Sequence, residues 1–237
     1  MKHLLVLSAI ATILVSCSNS TVTPESTSFT IPATGSSYTF LTYNTDSLDV
    51  KIPDSDVSTR ETVVASGITF RGKSGVWVIA SQSIGSDSMP YTDTTYFGVD
   101  QNNDILVYGQ DSSSGDLWIR LPVTSGTAFK DSTSSQDEVD GIQMEQRLIV
   151  TSNRIGQEQL TIGTTTIQTV KVGLNVTVKI IALGQVVSEI SIPSTAWYAP
   201  SLGNIIRMDQ PTLKIGDADL NLNLFGEYMI LQSYNVL

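Results

Sequence analysis

Val170-Lys171-Val172-Gly173-Leu174-Asn175-Val176-Thr177-Val178-Lys179-Ile180 alternates apolar and polar residues for eleven positions without a break. Successive side chains of a strand point to opposite faces, so this stretch is predicted as a long antiparallel strand with one dry and one wet face. Leu48, Val50 and Ile52 alternate with Asp49 and Lys51 in the same way, as Leu220, Leu222 and Leu224 do with Asn221 and Asn223. Gly75 to Ala80, Ile105 to Tyr108, Leu117 to Leu121 and Tyr228 to Leu231 are apolar on both faces, which suits central or doubly covered strands. Further strands are expected over Tyr38–Tyr43, Thr62–Phe70, Arg147–Thr151, Glu158–Ile162, Val186–Ile192 and Leu213–Ile215.

Turn-forming clusters separate these runs: Arg71 to Gly75, Gln101 to Asp104, Ser112 to Gly115, Leu183 to Gln185 and Gly216-Asp217. Their spacing of roughly 8–12 residues belongs to β-sandwiches and barrels. No window of twelve residues carries a helical stripe, so helices are expected to be few and short, with Ser55–Val64 and Ser134–Met144 the best placed. The expected fold is all-β: a single large antiparallel, strongly curved sheet, a half-barrel or open barrel of meander topology. Lys130 to Gly141 is polar and acidic, and is expected to join two meander halves of one domain spanning 29–237. Each half carries a Thr-aromatic-aromatic hairpin, Thr94-Thr95-Tyr96-Phe97 through Tyr108 and Thr195-Ala196-Trp197-Tyr198 through Asp209. Related halves and a chance likeness are both compatible with that repeat.

The N-terminus has its own logic. Lys2 and His3 precede an apolar core, Leu4 to Leu14, interrupted only by Ser8 and Thr12. That is too short for a bilayer span, which takes roughly 20 residues, and has the form of a secretory signal. Leu14-Val15-Ser16-Cys17 resembles the lipobox of bacterial lipoproteins, with Cys17 the only cysteine in the chain. The resemblance implies cleavage after residue 16, lipidation of Cys17 and a membrane anchor. Ser18, where many inner-membrane lipoproteins carry Asp, points to the outer membrane. Residues 18–28 are Ser/Thr-rich and read as a tether reaching about 18 Å as a flexible coil.

Without residues 1–16 the chain keeps 12 basic against 23 acidic residues, a formal charge of −11. This disfavours nucleic acid and anionic headgroups as partners. His3 leaves with the signal, and lipidation consumes Cys17. The mature chain then has no imidazole or free thiol for triad catalysis or for His- or thiolate-bound metals, and no disulfide. No cofactor is expected, and about 210 residues suffice for one core.

Trp197-Tyr198-Ala199-Pro200-Ser201-Leu202-Gly203 resembles a hairpin of secreted bacterial lipoproteins of unknown function, which carry Trp-Tyr-Ala-Pro-Gly-x-Gly-Leu-Val-Lys. Leu121-Pro122-Val123-Thr124-Ser125-Gly126 and Asp93 to Phe97 are supporting matches. Ser201 and Ile206-Arg207 depart from the pattern. The resemblance implies an open, curved sheet like the half-barrels of lipoprotein carriers, and no established activity.

Candidate sites follow. Trp197 and Tyr198 point to opposite faces, so one can pack while the other meets a ligand; Tyr96 and Phe97 form the same kind of pair. Asp100, Asn102, Asp104 and Asp111 have the spacing of a calcium loop, but Ile105 stands where its turn needs Gly, and a plain Asn/Asp turn explains them better. Asp131, Asp137, Glu138 and Asp140 read as a solvated acidic segment rather than a cation site. Arg71 to Gly75 lacks phosphate-loop spacing. The leading expectation is a non-enzymatic envelope lipoprotein that offers a curved sheet to a hydrophobic or amphipathic ligand or a partner protein. A purely structural module is the alternative. A carboxylate-dependent hydrolase, with Asp209 and Glu227 in the most unusual aromatic context, comes third.

Overall fold

The computed structural model describes residues 29–84, 91–109, 117–139, 141–215, 222–224 and 226–237. The signal, Cys17, the tether, Asp111 and Asp140 lie outside the described residues. The strands are β1 Ser37–Thr45, β2 Val57–Phe70, β3 Lys73–Ile84, β4 Tyr91–Val99, β5 Ile105–Gly109, β6 Ile119–Leu121 and β7 Phe129–Val139. They continue as β8 Ile142–Ile162, β9 Thr165–Ala182, β10 Gln185–Ala199, β11 Asn204–Gln210, β12 Leu213–Ile215, β13 Leu222–Leu224 and β14 Gly226–Asn235. Among the described residues there is no helix.

Twelve strands form one antiparallel sheet in the order β6-β5-β4-β3-β2-β1-β14-β11-β10-β9-β8-β7, and β12 and β13 form a separate ribbon. The order is an up-and-down meander bent into a ring, since β1 pairs with β14 and β6 and β7 are the two sheet edges. The edges approach without forming a ladder. Ser152 Oγ on β8 donates to the Arg120 carbonyl on β6, and Arg120 Nη2 donates at 3.5 Å to the Thr127 and Ala128 carbonyls before β7. The result is a nearly closed barrel with one seam, as the curved open sheet predicted.

Four local expectations change. Leu48 to Ile52 is a turn and not a strand: Asp46 Oδ1 accepts the amides of Leu48 and Val50 at 2.8 and 3.0 Å, and Asp49 has φ 57°. The side-chain acceptor outcompetes a ladder, leaving Leu48 79% exposed. Lys130 to Gly141 is not a connection; it holds most of β7, paired residue for residue with β8. An edge strand on a one-layer arm needs no dry face, so its polar texture hid it. The two helix candidates are not helices: Ser55–Val64 runs into β2 from Val57 onward, and the described residues of Ser134–Met144 are the end of β7, the turn residue Gly141 and the start of β8. Arg147–Thr151 and Glu158–Ile162 are parts of one 21-residue strand, β8, with a register shift between Arg154 and Gly156.

The middle of the barrel is filled. Tyr38, Phe40, Trp77, Ile79, Ile105, Leu121, Tyr198, Ile206 and Leu231 are fully buried in one cluster. The β10–β11 turn is clamped into it from the other half of the ring. Tyr38 OH donates to the Leu202 carbonyl at 2.6 Å, Trp77 Nε1 to the Gly203 carbonyl at 3.1 Å, and Asn204 Nδ2 to Glu61 at 2.7 Å.

Candidate functional site

Along β9 the core gives out. Val170 and Val172 are buried, whereas every residue from Gly173 to Ala182 is only half-buried. Strands β7 to β10 thus run past the filled barrel as an arm. On the face continuous with Val170 and Val172, cross-strand rows bring Leu148, Val178 and Ile190 together, and Val150, Val176 and Ile192 beside them. Such rows are the units of sheet stabilisation. Here all but Val150 are half-buried, because no second layer of described residues covers them. The arm's tip exposes Ile142, Leu183, Val186 and Val187, each more than 40% accessible. A hollow of about 190 Å³ on this face is bounded by Ser135, Asp137, Met144, Glu145, Gln146 and Ile180. A second hollow of about 340 Å³ at the tip is lined by Gln136, Met144, Ile181 and Leu183 among others.

Of the four rings singled out in the sequence, Phe97, Trp197 and Tyr198 belong to the buried core cluster and Tyr96 does not. Phe97 stacks on Trp77 at 5.6 Å, and burial raises the Tyr198 hydroxyl far above its ordinary value. Tyr96 is half-buried in a cluster on the sheet's other face, stacked 3.9 Å from Phe70 beside Tyr108 and Trp118. Trp197 lies between the Lys171 ammonium at 4.7 Å and the Arg207 guanidinium at 4.2 Å from its ring centre, and donates from Nε1 to Glu158 at 2.8 Å. The face read as wet at Lys171 thus carries a 3% exposed tryptophan under two cations. The stripe continues from Arg207 to Tyr228 at 5.0 Å, Tyr43 at 4.8 Å from Tyr228, and Lys51 at 5.0 Å from Tyr43.

Beside that stripe a cleft of about 350 Å³ gathers Asp49, Asp209 and Glu227 with Tyr43 and Tyr228. This is where a carboxylate pair would have to act. Arg207 engages both oxygens of Asp209 in a fork, at 3.1 and 2.6 Å. The calcium-like residues form turns instead: Asp100 Oδ1 accepts the amides of Asn102 and Asp104, and the buried Asp104 carboxylate accepts the amides of Thr124 and Ser125. Glu61, Glu158 and Arg207 were not legible as partners, because strand pairing alone brings them to their rings and amides.

No family model matches the chain, and no curated protein does. Among solved structures, this chain is similar to that of a Bacteroides fragilis protein with a YmcC-like fold, thought to be exported, with a TM-score of 0.45 at 10% identity over 88% of this chain and 99% of that one.

Proposed function

We propose that the chain is an exported, lipid-tethered module without catalytic activity that holds a partner's amphipathic segment on the apolar face and tip of the β7–β10 arm. The observation that carries this is the run of half-buried aliphatics beyond Val172, ending in four exposed ones at the tip. Contiguous exposed apolar surface marks interaction sites. Its direction fits a tether at Cys17. Thr30 N–H donates to the Pro200 carbonyl at 3.0 Å, so the described N-terminal end sits at the β10–β11 turn. The tip lies the length of β10 away, about 45 Å at the rise of a strand. An anchor at one pole would leave the tip facing away from its own membrane.

The filled barrel favours a second reading, a scaffold that holds nothing. Native mass spectrometry of the chain purified from envelopes separates the two. A retained amphipathic ligand or partner, stripped by Ile190→Glu at unchanged melting temperature, supports the binding module. A bare chain in both forms supports the scaffold. Cys17→Ser should move the protein from the membrane to the soluble fraction, and retention in the membrane would reject the anchor.

A further inference from the structure

The arm ends sideways in a long edge. Strand β6 spans three residues and β7 eleven, and among the described residues the hydrogen bonds across the seam lie at and below the foot of β7, from Arg120 to Thr127 and Ala128, from Ser152 to Arg120 and from Arg154 to Thr124. Above those bonds, among the described residues, the β7 backbone has a ladder only on the β8 side. A row of amides and carbonyls outside any ladder is a template for another strand; on β7 the amides of Ser132 and Glu138 donate to Asp131 Oδ1 and Asp137 Oδ1 at 2.8 and 2.9 Å, local contacts that an incoming strand with basic side chains would replace. On the apolar face β7 presents Asp131, Thr133, Ser135 and Asp137, the residues paired with Val150, Leu148, Gln146 and Met144. Asp137 borders the 190 Å³ hollow, whose apolar wall is Met144 and Ile180. That volume is about six waters at ~30 Å³ each, room for one long side chain with an apolar stem.

We infer that the free edge of β7 takes an extended segment of a partner protein, added as an antiparallel strand. The segment carries two basic side chains six residues apart, one opposite Asp131 and one in the hollow at Asp137. This deepens the partner-binding reading by giving the partner's form, and rests on it only in using the same arm. Charge selects the occupant. Asp131, Asp137 and Glu138 outnumber Lys130 along the edge, while Glu145 is spent on Arg147 at 2.7 Å. A second copy is disfavoured, since full overlap of two antiparallel β7 strands places Asp131 directly across from Asp137, and opposed like charges destabilise a ladder. An anionic lipid surface is repelled by the same groups.

The test uses the full chain and a synthetic eleven-residue Thr/Val peptide with lysine at positions 3 and 9. Its two controls carry glutamate at those positions or N-methylated alternate amides. Binding is followed by fluorescence anisotropy, and β7 amides by hydrogen exchange. The lysine peptide should bind and protect β7 amides, the N-methylated one should not, and the glutamate one should bind at least tenfold more weakly. The double variant Asp131→Asn/Asp137→Asn, at exposed positions, should weaken lysine-peptide binding about tenfold with the melting temperature unchanged. Equal binding of lysine and glutamate peptides, absence of β7 protection, or self-association of the double variant without peptide binding would overturn the inference; the last outcome would make the acids a guard against aggregation. Ile190→Glu damages the apolar face and not the edge. Peptide binding that survives it separates the two readings, so either can fail alone.

Discussion

Trp197 shows how one side chain can hold two strands to a third. Its neighbours across the ladder are Lys171 on β9 and Arg207 on β11, and both cations lie over its ring. A cation–π contact contributes about 0.5–1 kcal/mol when exposed and ~2 when desolvated. Lys171→Leu, a neutral change on a wet face, should therefore cost about 1 kcal/mol, and Trp197→Ala about 3–5 kcal/mol, as for large core truncations. Urea unfolding of both variants checks this, and a null effect of Lys171→Leu would show the sandwich to be idle. Glu61 sets a different experiment. Burial holds its carboxyl above the usual carboxylate range, opposed by the Asn204 and Ser81 hydrogen bonds. An acid with a raised folded pKa binds more protons folded than unfolded, so its contribution is complete below the unfolded value and is lost as pH rises through the folded one. Glu61→Gln should thus flatten the fall in melting temperature on going from about pH 4.5 upward. An unchanged pH profile would mean that the carboxyl titrates normally in place.

The β10–β11 hairpin is the element on which the two halves meet, and its turn is built for close approach. Gly203 has φ 65°, and a Cβ there would stand 2.6 Å from Pro32 Cδ and 2.6 Å from the Thr30 carbonyl oxygen. Gly203→Ala combines a left-handed conformation, unfavourable by roughly 1–2 kcal/mol for a residue with a Cβ, with a clash against backbone. Its cost should exceed 2 kcal/mol, whereas Tyr38→Phe, which removes only the bond to the Leu202 carbonyl, should cost about 1 kcal/mol. Thermal unfolding ranks the two, and the reverse order would reject the turn as the tight point. The Trp-Tyr-Ala-Pro stretch announces this hairpin in the sequence, because a β run and a Pro/Gly turn suffice to see it. Its clamps do not show: Tyr38, Trp77 and Glu61 are more than 120 residues away from their partners in the turn. The arm was half legible. Alternation revealed β9 and its two faces, but β7 has no apolar alternation to read, and the end of the core at Val172 depends on what packs above it.

At the scale of the molecule the two meanders are joined into one sheet through the strands nearest the two ends of the described chain. Ser37 pairs with Asn235 and Thr45 with Gly226, so β1 and β14 join the first meander to the last across nearly the whole chain. The period of two could name the strands but not this join, since register between segments so distant is decided by the shape of the barrel. The join also concentrates buried area: Phe40 on β1 and Leu231 on β14 are cross-strand partners, each 1% exposed. Without residues 226–237, β1 and β11 become two unpaired edges, and the core loses Leu231 along with Met229 and Ile230, which pack against it. Removal of one large core aliphatic alone costs about 2–5 kcal/mol, a large share of the 5–15 kcal/mol by which domains are stable. A chain ended before Gly226 should therefore lose cooperative unfolding and aggregate through its new edges. Removal of the arm's tip, residues 183–186, in contrast touches nothing below Val172 and should leave the melting transition intact. Circular dichroism melts and size-exclusion profiles of the two truncations check this, and a soluble, cooperatively melting chain without β14 would show that the two meanders are separate folding units.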